Sequence, residues 1–207
     1  INANNLFDAW IEWDRYDIIG RGGDSITPLE ATVREDAPEF VWNFNWKRVF
    51  NKDTILNVTL QGYDGYYYLD PERGYDIPGH FNEFGDFTYS NNSVYYYLAD
   101  RDRNQLNATL TRHVSDWGGN HDFKFGMEIE RSGLRSRYGY PTGAKYYDNY
   151  SGYDPGNGYA PGTYTIAYIG YSYDINATNE RLTGYVQDDW QITPRFTFNP
   201  GVRIDYI

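Results

Sequence analysis

The chain has 207 residues, enough to bury the core of one domain, and carries a net charge of −11. That charge argues against a nucleic-acid partner, because binding a phosphate backbone requires a basic face. The absence of cysteine excludes disulfides and thiolate metal sites, and no apolar run approaches the roughly 18 residues of a transmembrane helix.

Aromatic residues make up 19% of the chain, with 23 tyrosines, and glycine contributes 21 residues. Aromatics suit pleated surfaces, whereas glycine suits turns and bulges, so this composition predicts an all-β chain. Tyrosine and tryptophan also fit positions at membrane interfaces. The mean hydropathy of −0.75 is compatible with membrane strands, because only every second residue of such a strand meets lipid.

Strands are predicted over residues 4–14, 40–50, 54–68, 94–113, 121–138, 163–192 and 195–207. In the second strand, Phe40, Trp42, Phe44 and Trp46 alternate with other residues, and this period of two excludes a helix. The apolar residues of the later strands follow the same rule and are expected to face lipid. They include Val58, Leu106, Leu110 and Phe125.

Short and long connections alternate along the chain. Short turns are predicted near residues 51, 115 and 193, and long loops over 16–38, 70–92 and 139–162. Outer-membrane barrels have short periplasmic turns and longer extracellular loops. The pattern therefore predicts an antiparallel, up-and-down transmembrane β-barrel segment of about seven strands, incomplete as a barrel. We expect an internal piece of a longer protein, whose open sheet edges would make the piece aggregate alone.

The closing hairpin carries the most distinctive motif in the chain. Tyr185-Val-Gln-Asp-Asp-Trp190 is followed, after a short turn, by Gly201-Val-Arg-Ile-Asp205. This hairpin resembles one in the barrel of TonB-dependent outer-membrane receptors. Residues 120–129 and, more weakly, 34–38 resemble the Oar-like branch of that family. The signature residues that carry the resemblance are Tyr185, Gln187, Asp188, Asp189, Trp190, Gly201, Arg203 and Asp205.

The resemblance implies that residues 1–207 are part of the barrel domain of such a receptor, with the plug and remaining strands absent from them. The receptor would lie in the outer membrane of a Gram-negative-type bacterium, surrounded by outer-membrane lipid. It would capture a ligand at the cell surface and import it through a plugged barrel. The TonB complex would be contacted through an N-terminal region that these residues lack. The ligand could be a small molecule, an oligosaccharide or a peptide.

No catalytic residues, metal site or cofactor are predicted, and the chain is not expected to be an enzyme. Asp188 and Asp189 are adjacent on a strand and point to opposite faces, so they cannot act together on a glycosidic bond. A structural role is expected for the signature. Trp190 suits an interfacial belt, whereas Arg203 and Asp205 share a face and should join a network in the lumen.

Two further groups of residues have side chains that could bind a metal or a ligand. His80, His113 and His121 are the only histidines, and they are expected to be solvated turn residues rather than converging metal ligands. The candidate ligand-contacting loop aromatics are Tyr66, Tyr67, Tyr68, Tyr146 and Tyr147. The alternative is that these tyrosines form an interfacial girdle or pack the loops.

Two alternatives to a transporting receptor are open at this level. A soluble carbohydrate-binding β-sandwich would cover the apolar face of each strand with a second sheet. A surface barrel or adhesin without transport would share the lipid-facing strands but lack a plug.

Overall fold

The computed structural model of the chain describes residues 4–83, 86–150, 153–154, 158–159 and 164–207. The strands are β1 Asn5–Arg21, β2 Val33–Asn51, β3 Thr54–Pro71, β4 Gly79–Asn82, β5 Tyr89–Ser90, β6 Tyr96–Val114, β7 Asn120–Gly139, β8 Ala144–Tyr150, β9 Tyr153–Asp154, β10 Gly158–Tyr159, β11 Tyr164–Ile169, β12 Tyr173–Thr193, β13 Phe196–Phe198 and β14 Gly201–Tyr206. Short 3-10 helices occur at Leu29–Ala31 and Pro141–Gly143. Among the described residues no helix has the length and apolarity needed to cross a membrane.

The long strands form one broad antiparallel sheet. Its order is β1-β2-β3-β6-β7-β12-β13, with β14 also paired to β12. Because β13 and β14 pair with successive parts of β12, they act as one interrupted strand. The wall therefore has seven strand positions and is not closed within the described residues, which confirms the predicted incomplete, up-and-down barrel segment.

At the end of the sheet that carries the long loops, strands β1 and β2 extend further than the sequence pattern predicted. The first loop spans only 22–32 rather than 16–38, because β1 and β2 continue to pair beyond their apolar parts. Charged residues occupy this extension, and Arg15 contacts Asp36 across the two strands at 3.0 Å. A search for alternating apolar residues misses a strand whose facing residues are ion pairs.

The other two long loops are not irregular, as the sequence suggested, but contribute to a second sheet of order β11-β8-β4-β5. Strand β4 comes from the connection between β3 and β6, whereas β8 and β11 come from the connection between β7 and β12. Parallel pairing of β4 with β8 joins the two connections. The predicted strand 163–192 is correspondingly interrupted at residues 170–172.

Buried side chains concentrate at the upper end of the wall, where the loops cover it. They include Val33, Ala37, Leu69 and Ala99 on the strands, and Asn92 in the loops. Lower down, one face of the wall leaves large apolar side chains exposed, such as Phe125 at 43%. In the part of the chain that the structure describes, no second sheet covers that face. This exposed apolar face is the arrangement expected of lipid-facing strands and not of the β-sandwich alternative.

Candidate functional site

The strand register sorts the wall into an apolar face and a polar face. Residues directly opposite each other on paired strands share a face, so each register position defines a row across the sheet. One row of the apolar face contains Phe7, Trp46, Val58, Ala108, Met127, Gly184 and Ile204. The four residues predicted to face lipid, Val58, Leu106, Leu110 and Phe125, all lie on this face.

Neighbouring rows on the polar face of β2, β3 and β6 carry amide side chains joined in one chain of hydrogen bonds. We call this set the amide relay, and its members are Asn45, Asn43, Gln61, Gln105 and Asn107. Each side chain donates to the next one, at distances of 2.6, 3.2, 2.8 and 3.3 Å in that order. Neutral donors and acceptors therefore cross three strands at half-buried positions.

The polar face of β6, β7, β12 and β14 carries charges instead of amides. Arg103 contacts Glu130 at 2.5 Å, and Arg181 contacts Glu130 at 3.1 Å and also Glu128. Glu130 is buried, and its two guanidinium partners offset the cost of removing a carboxylate from water. These ion pairs therefore join β6, β7 and β12 on the polar face.

A loop cap covers the upper end of the polar face, and we define it by the described residues of the connections 22–32, 72–95 and 140–172. Besides the β4–β8 pairing, the backbone N–H of Tyr89 donates to the Ile26 carbonyl at 2.7 Å, and Thr142 N–H donates to the Tyr75 carbonyl at 2.8 Å. The middle connection, 72–95, is thus hydrogen-bonded to each of the other two.

Two side chains stabilise the loop cap. The fully buried Asn92 donates through its amide nitrogen to the carbonyls of Gly74 and Ile77, both at 2.7 Å. The Tyr75 hydroxyl donates to Asp70. Burial, this hydrogen bond and the nearby negative charge raise the pKa of Tyr75 above its ordinary value. The cap is consequently held by specific polar contacts as well as by backbone pairing.

The signature residues at the periplasmic turn have structural contacts. Asp188 accepts from the ring of His121 at 2.6 Å, while Trp190 stacks on the same ring with centroids 5.2 Å apart. The indole N–H of Trp190 donates to the Gly118 carbonyl at 3.1 Å. These contacts fix the turn between β6 and β7 to the neighbouring strand β12.

Other signature residues lie on the polar face. The ring of Tyr185 lies over Gly126, where an added Cβ would be 2.0 Å from the ring. Asp205 accepts from Arg203 at 2.9 Å and from the hydroxyl of Thr183 at 2.6 Å, so the predicted Arg203–Asp205 pairing on one face is present. The remaining signature residues are Gln187, Asp189 and Gly201. The Gln187 side chain donates to Asp189 at 3.4 Å, and Gly201 is the register partner of Gln187.

The predicted loop tyrosines are separated by the structure. Tyr66 and Tyr68 lie on the continuation of the apolar face, with rings 4.3 Å apart, whereas Tyr67 lies on the polar face beneath Arg21. In the loop cap, Tyr146 stacks on His80 and Tyr147 contacts Phe81. A ligand entering along the polar face would meet Tyr67 before Tyr66 or Tyr68. Ligand contact by any of the five remains a prediction.

Two of the three histidines differ from the sequence expectation. His80 lies in β4 rather than in a solvated turn, with its Nδ1 atom 2.8 Å from Asp148 and its ring stacked on Tyr146. His121 is not a solvated turn residue but is buried, with 6% of its surface exposed, between Trp117, Phe123 and Trp190. The sequence did not show this because the covering rings come from a turn and from a neighbouring strand. Within the described ranges, no cluster of three His, Cys, Asp or Glu side chains could hold a metal ion.

Sequence reasoning missed Trp10 and the amide relay. Trp10 lies on the polar face next to Asn43 and stays 46% exposed. Together with Tyr63 and Gln105 it lines a cleft of 180 Å³. The alternation of Asn and Gln on strands 40–50, 54–68 and 94–113 was a usable signal. Alone it indicates only a polar face, because the register that aligns the amides is not visible in the sequence.

A wall of long antiparallel strands, apolar on one face and polar on the other, with short turns at one end and joined loops at the other, defines a transmembrane β-barrel. A family model described as "Outer membrane beta barrel domain" matches residues 34–207. The chain belongs to this family, and its place is the outer membrane. The predicted localisation is thereby confirmed.

The fold is also similar to that of a solved structure, the outer membrane transporter YddB from Escherichia coli. The TM-score is 0.61 at 14% sequence identity, and the match covers 99% of this chain and 25% of that one. The chain thus spans about a quarter of the length of YddB. No curated protein matches the chain.

Proposed function

We propose that the chain is part of the barrel of a TonB-dependent receptor of the Oar-like branch. This receptor captures a ligand at the cell surface and imports it through a plugged lumen. The single observation that carries the proposal is the polar face itself. It is hydrogen-bonded from strand to strand, and a joined set of loops lies at its upper end.

The polar face supports transport because it offers a wetted path between the loop cap and the periplasmic turns. Passage of a polar ligand through the lumen requires such a face. The outer side of the wall supplies the membrane part of the proposal. Its apolar rows match the lipid-facing strands of outer-membrane barrels.

The TonB-dependent and Oar-like part of the proposal comes from the sequence signature. The contacts of Tyr185, Asp188 and Trp190 explain why those residue types stand in the closing hairpin, since each one fills or fixes a neighbouring strand or turn. Such contacts are structural. They are consistent with a signature that is shared among related barrels for structural reasons, and they give it no part in ligand recognition.

Energised uptake is tested in the source bacterium. The culture medium is profiled by mass spectrometry for compounds that wild-type cells deplete and that cells lacking the full-length protein leave behind. We expect at least one compound to be depleted only by wild-type cells, and a protonophore should abolish that depletion. In parallel, the purified full-length protein should bind the periplasmic domain of TonB.

Two results would contradict the proposal. If depletion were insensitive to the protonophore and TonB did not bind, the protein would act as a passive barrel. If no compound were depleted but cell adhesion changed in the deletion strain, the non-transporting surface barrel would be the better explanation.

A further inference from the structure

We infer that the apolar face carries a binding site for an anionic phospholipid of the inner leaflet, at the periplasmic end of the wall. Two arginines form the site, Arg48 on β2 and Arg112 on β6, and we call them the rim arginines. The inference requires only that the chain is part of an outer-membrane barrel. It is therefore independent of the imported ligand and of the TonB coupling proposed above.

The rim arginines mark where the apolar rows end toward the short turns. On the apolar face of β2, Arg48 is the first charged residue after Trp46, and on β6 Arg112 is the first after Leu110. Leu110 lies one row nearer the turns than Trp46, and on β7 the apolar run extends another row, to Phe123. The boundary thus slopes across the wall, and both arginines stand just beyond it, at the level of the inner-leaflet phosphates.

The rim arginines differ from the arginines near the loop cap in having no acidic partner. Near the cap, outward-facing arginines are paired with carboxylates, as in Arg15–Asp36 at 3.0 Å and Arg135–Asp174 at 2.9 Å. Within the described residues, neither rim arginine forms an ion pair or a hydrogen bond through its guanidinium, and both side chains are exposed. The chain has 29 acidic and 18 basic residues, so carboxylates are not scarce. The two unpaired cations are therefore free for an anion from outside the chain.

Neither a plug nor the remaining strands of the barrel can cover the rim arginines. A plug fills the lumen, whereas both arginines lie on the opposite face of the wall. Strand β2 is paired on both sides, with β1 and β3, and β6 is paired with β3 and β7. Their exposure is thus a property of the closed barrel and does not arise from the open edges of the wall.

The surface between the rim arginines has room for a phospholipid headgroup. Strand β3 separates β2 from β6, so the two Cα atoms are two strand spacings and one row apart, about 12 Å. Between them β3 presents Leu56, the register partner of Arg48, and the small Thr54, the register partner of Arg112. Two long side chains can converge on a headgroup over this strand, while Leu56 and Leu110 offer apolar surface for its acyl chains.

The chemistry of the rim arginines favours a phosphate with a net negative headgroup. A guanidinium presents a planar set of donors that matches a phosphate in bidentate fashion. The Arg48 guanidinium also lies over the Phe50 ring, 4.9 Å from its centroid, which limits the positions that this side chain samples. An anionic headgroup is favoured over a zwitterionic one, because it brings no ammonium group close to the two arginines.

The test uses the full-length protein, purified in detergent and stripped of lipid. Phosphatidylglycerol or phosphatidylethanolamine with the same acyl chains is added, and native mass spectrometry counts the retained lipids. We expect tighter retention of phosphatidylglycerol. Substitution of both Arg48→Gln and Arg112→Gln should weaken that retention about tenfold or more. Substitution of both Arg48→Lys and Arg112→Lys should preserve part of it, because lysine keeps the charge but not the bidentate contact.

A matched control is available on the other face of the wall. Lys47 and Lys124 lie at the same end but on the polar face. Loss of both charges, by Lys47→Gln with Lys124→Gln, should leave phosphatidylglycerol retention unchanged. The gel mobility of the unheated protein is compared among all variants, so that lost folding is not mistaken for lost binding.

Four results would overturn the inference. The first is equal retention of the two lipids by the parent protein, and the second is unchanged retention of phosphatidylglycerol by the double glutamine variant of the rim arginines. The third is an equal loss in the lysine control, which would indicate a general effect of charge. The fourth is dimers of the protein that depend on the rim arginines and exclude lipid, which would assign this surface to a second copy of the chain.

Discussion

At the scale of single residues, the closing signature consists of side chains that fill gaps between strands. Tyr185 covers Gly126 on the next strand, and the ring occupies the space that a side chain at that position would need. A glycine within a strand often marks close approach of a neighbouring group. The pair explains why an aromatic residue stands at the start of the signature.

Gly126→Ala is expected to destabilise the full-length protein by about 1–3 kcal/mol, the usual cost of overpacking. Its Cβ would lie 2.0 Å from the Tyr185 ring, which must move. Gly184→Ala is the control, because nothing lies within 4 Å of a Cβ at that position. Urea unfolding in lipid vesicles measures both variants. Equal stabilities would mean that Tyr185 does not lie over Gly126.

The assignment of the two faces is also tested at single residues. Phe125→Arg should cost about 2–4 kcal/mol, as expected for a cation facing lipid near the bilayer midplane. Lys124→Arg changes the preceding residue, which lies on the polar face, and should change stability little. The measurement is the amount of full-length protein that is correctly inserted in the outer membrane. Normal insertion of the Phe125 variant would reverse the assignment of the faces.

At the scale of elements, what could be predicted from the sequence depended on local periodicity. The turn after Asn51 and the strand around Phe44 followed from apolar residues at every second position. The β4–β8 pairing could not be predicted, since both strands are short and lie more than 60 residues apart in the chain. The amide relay was equally hidden, because it depends on the register of three strands rather than on any one of them.

The β4–β8 pairing gives an element-scale prediction. His80 and Tyr146 are register partners, so His80→Cys combined with Tyr146→Cys should form a disulfide under mild oxidation. The chain contains no cysteine, so the background is clean. His80→Cys with Tyr150→Cys is the control, four residues out of register, and should not cross-link. Cross-linking is read from gel mobility before and after reduction. Failure of the first pair would contradict the joined loop cap.

At the scale of the whole molecule, the wall described by these residues has two sheet edges. Strands β1 and β14 each pair with one neighbour within the described residues, so one side of each strand lacks a backbone partner there. Unpaired backbone groups are costly in hydrocarbon, and a membrane barrel avoids them by closing. The sequence could predict that a barrel was required but not which strands complete it.

Hydrogen exchange tests this requirement. In the full-length protein in vesicles, amides of residues 6–18 should exchange slowly, because both sides of β1 are paired in a closed barrel. In the isolated 207-residue chain in detergent, every second amide of that strand should exchange at least tenfold faster, while β6 at the centre of the sheet serves as the internal control. Equal exchange in the two preparations would mean that β1 is a natural edge.

The slope of the apolar face sets the orientation of the protein in the bilayer. On the apolar face, the apolar side chain nearest the loop cap is Trp13 on β1 and Leu182 on β12. Trp13 lies four residues, or two rows of the same face, nearer the loop cap than Leu182. Two rows are about 13 Å along a strand and five strand spacings are about 24 Å, so the strands lean roughly 30° from the membrane normal. The nine residues of β12 beyond Leu182 then rise about 26 Å. The loop cap consequently stands well clear of the lipid headgroups.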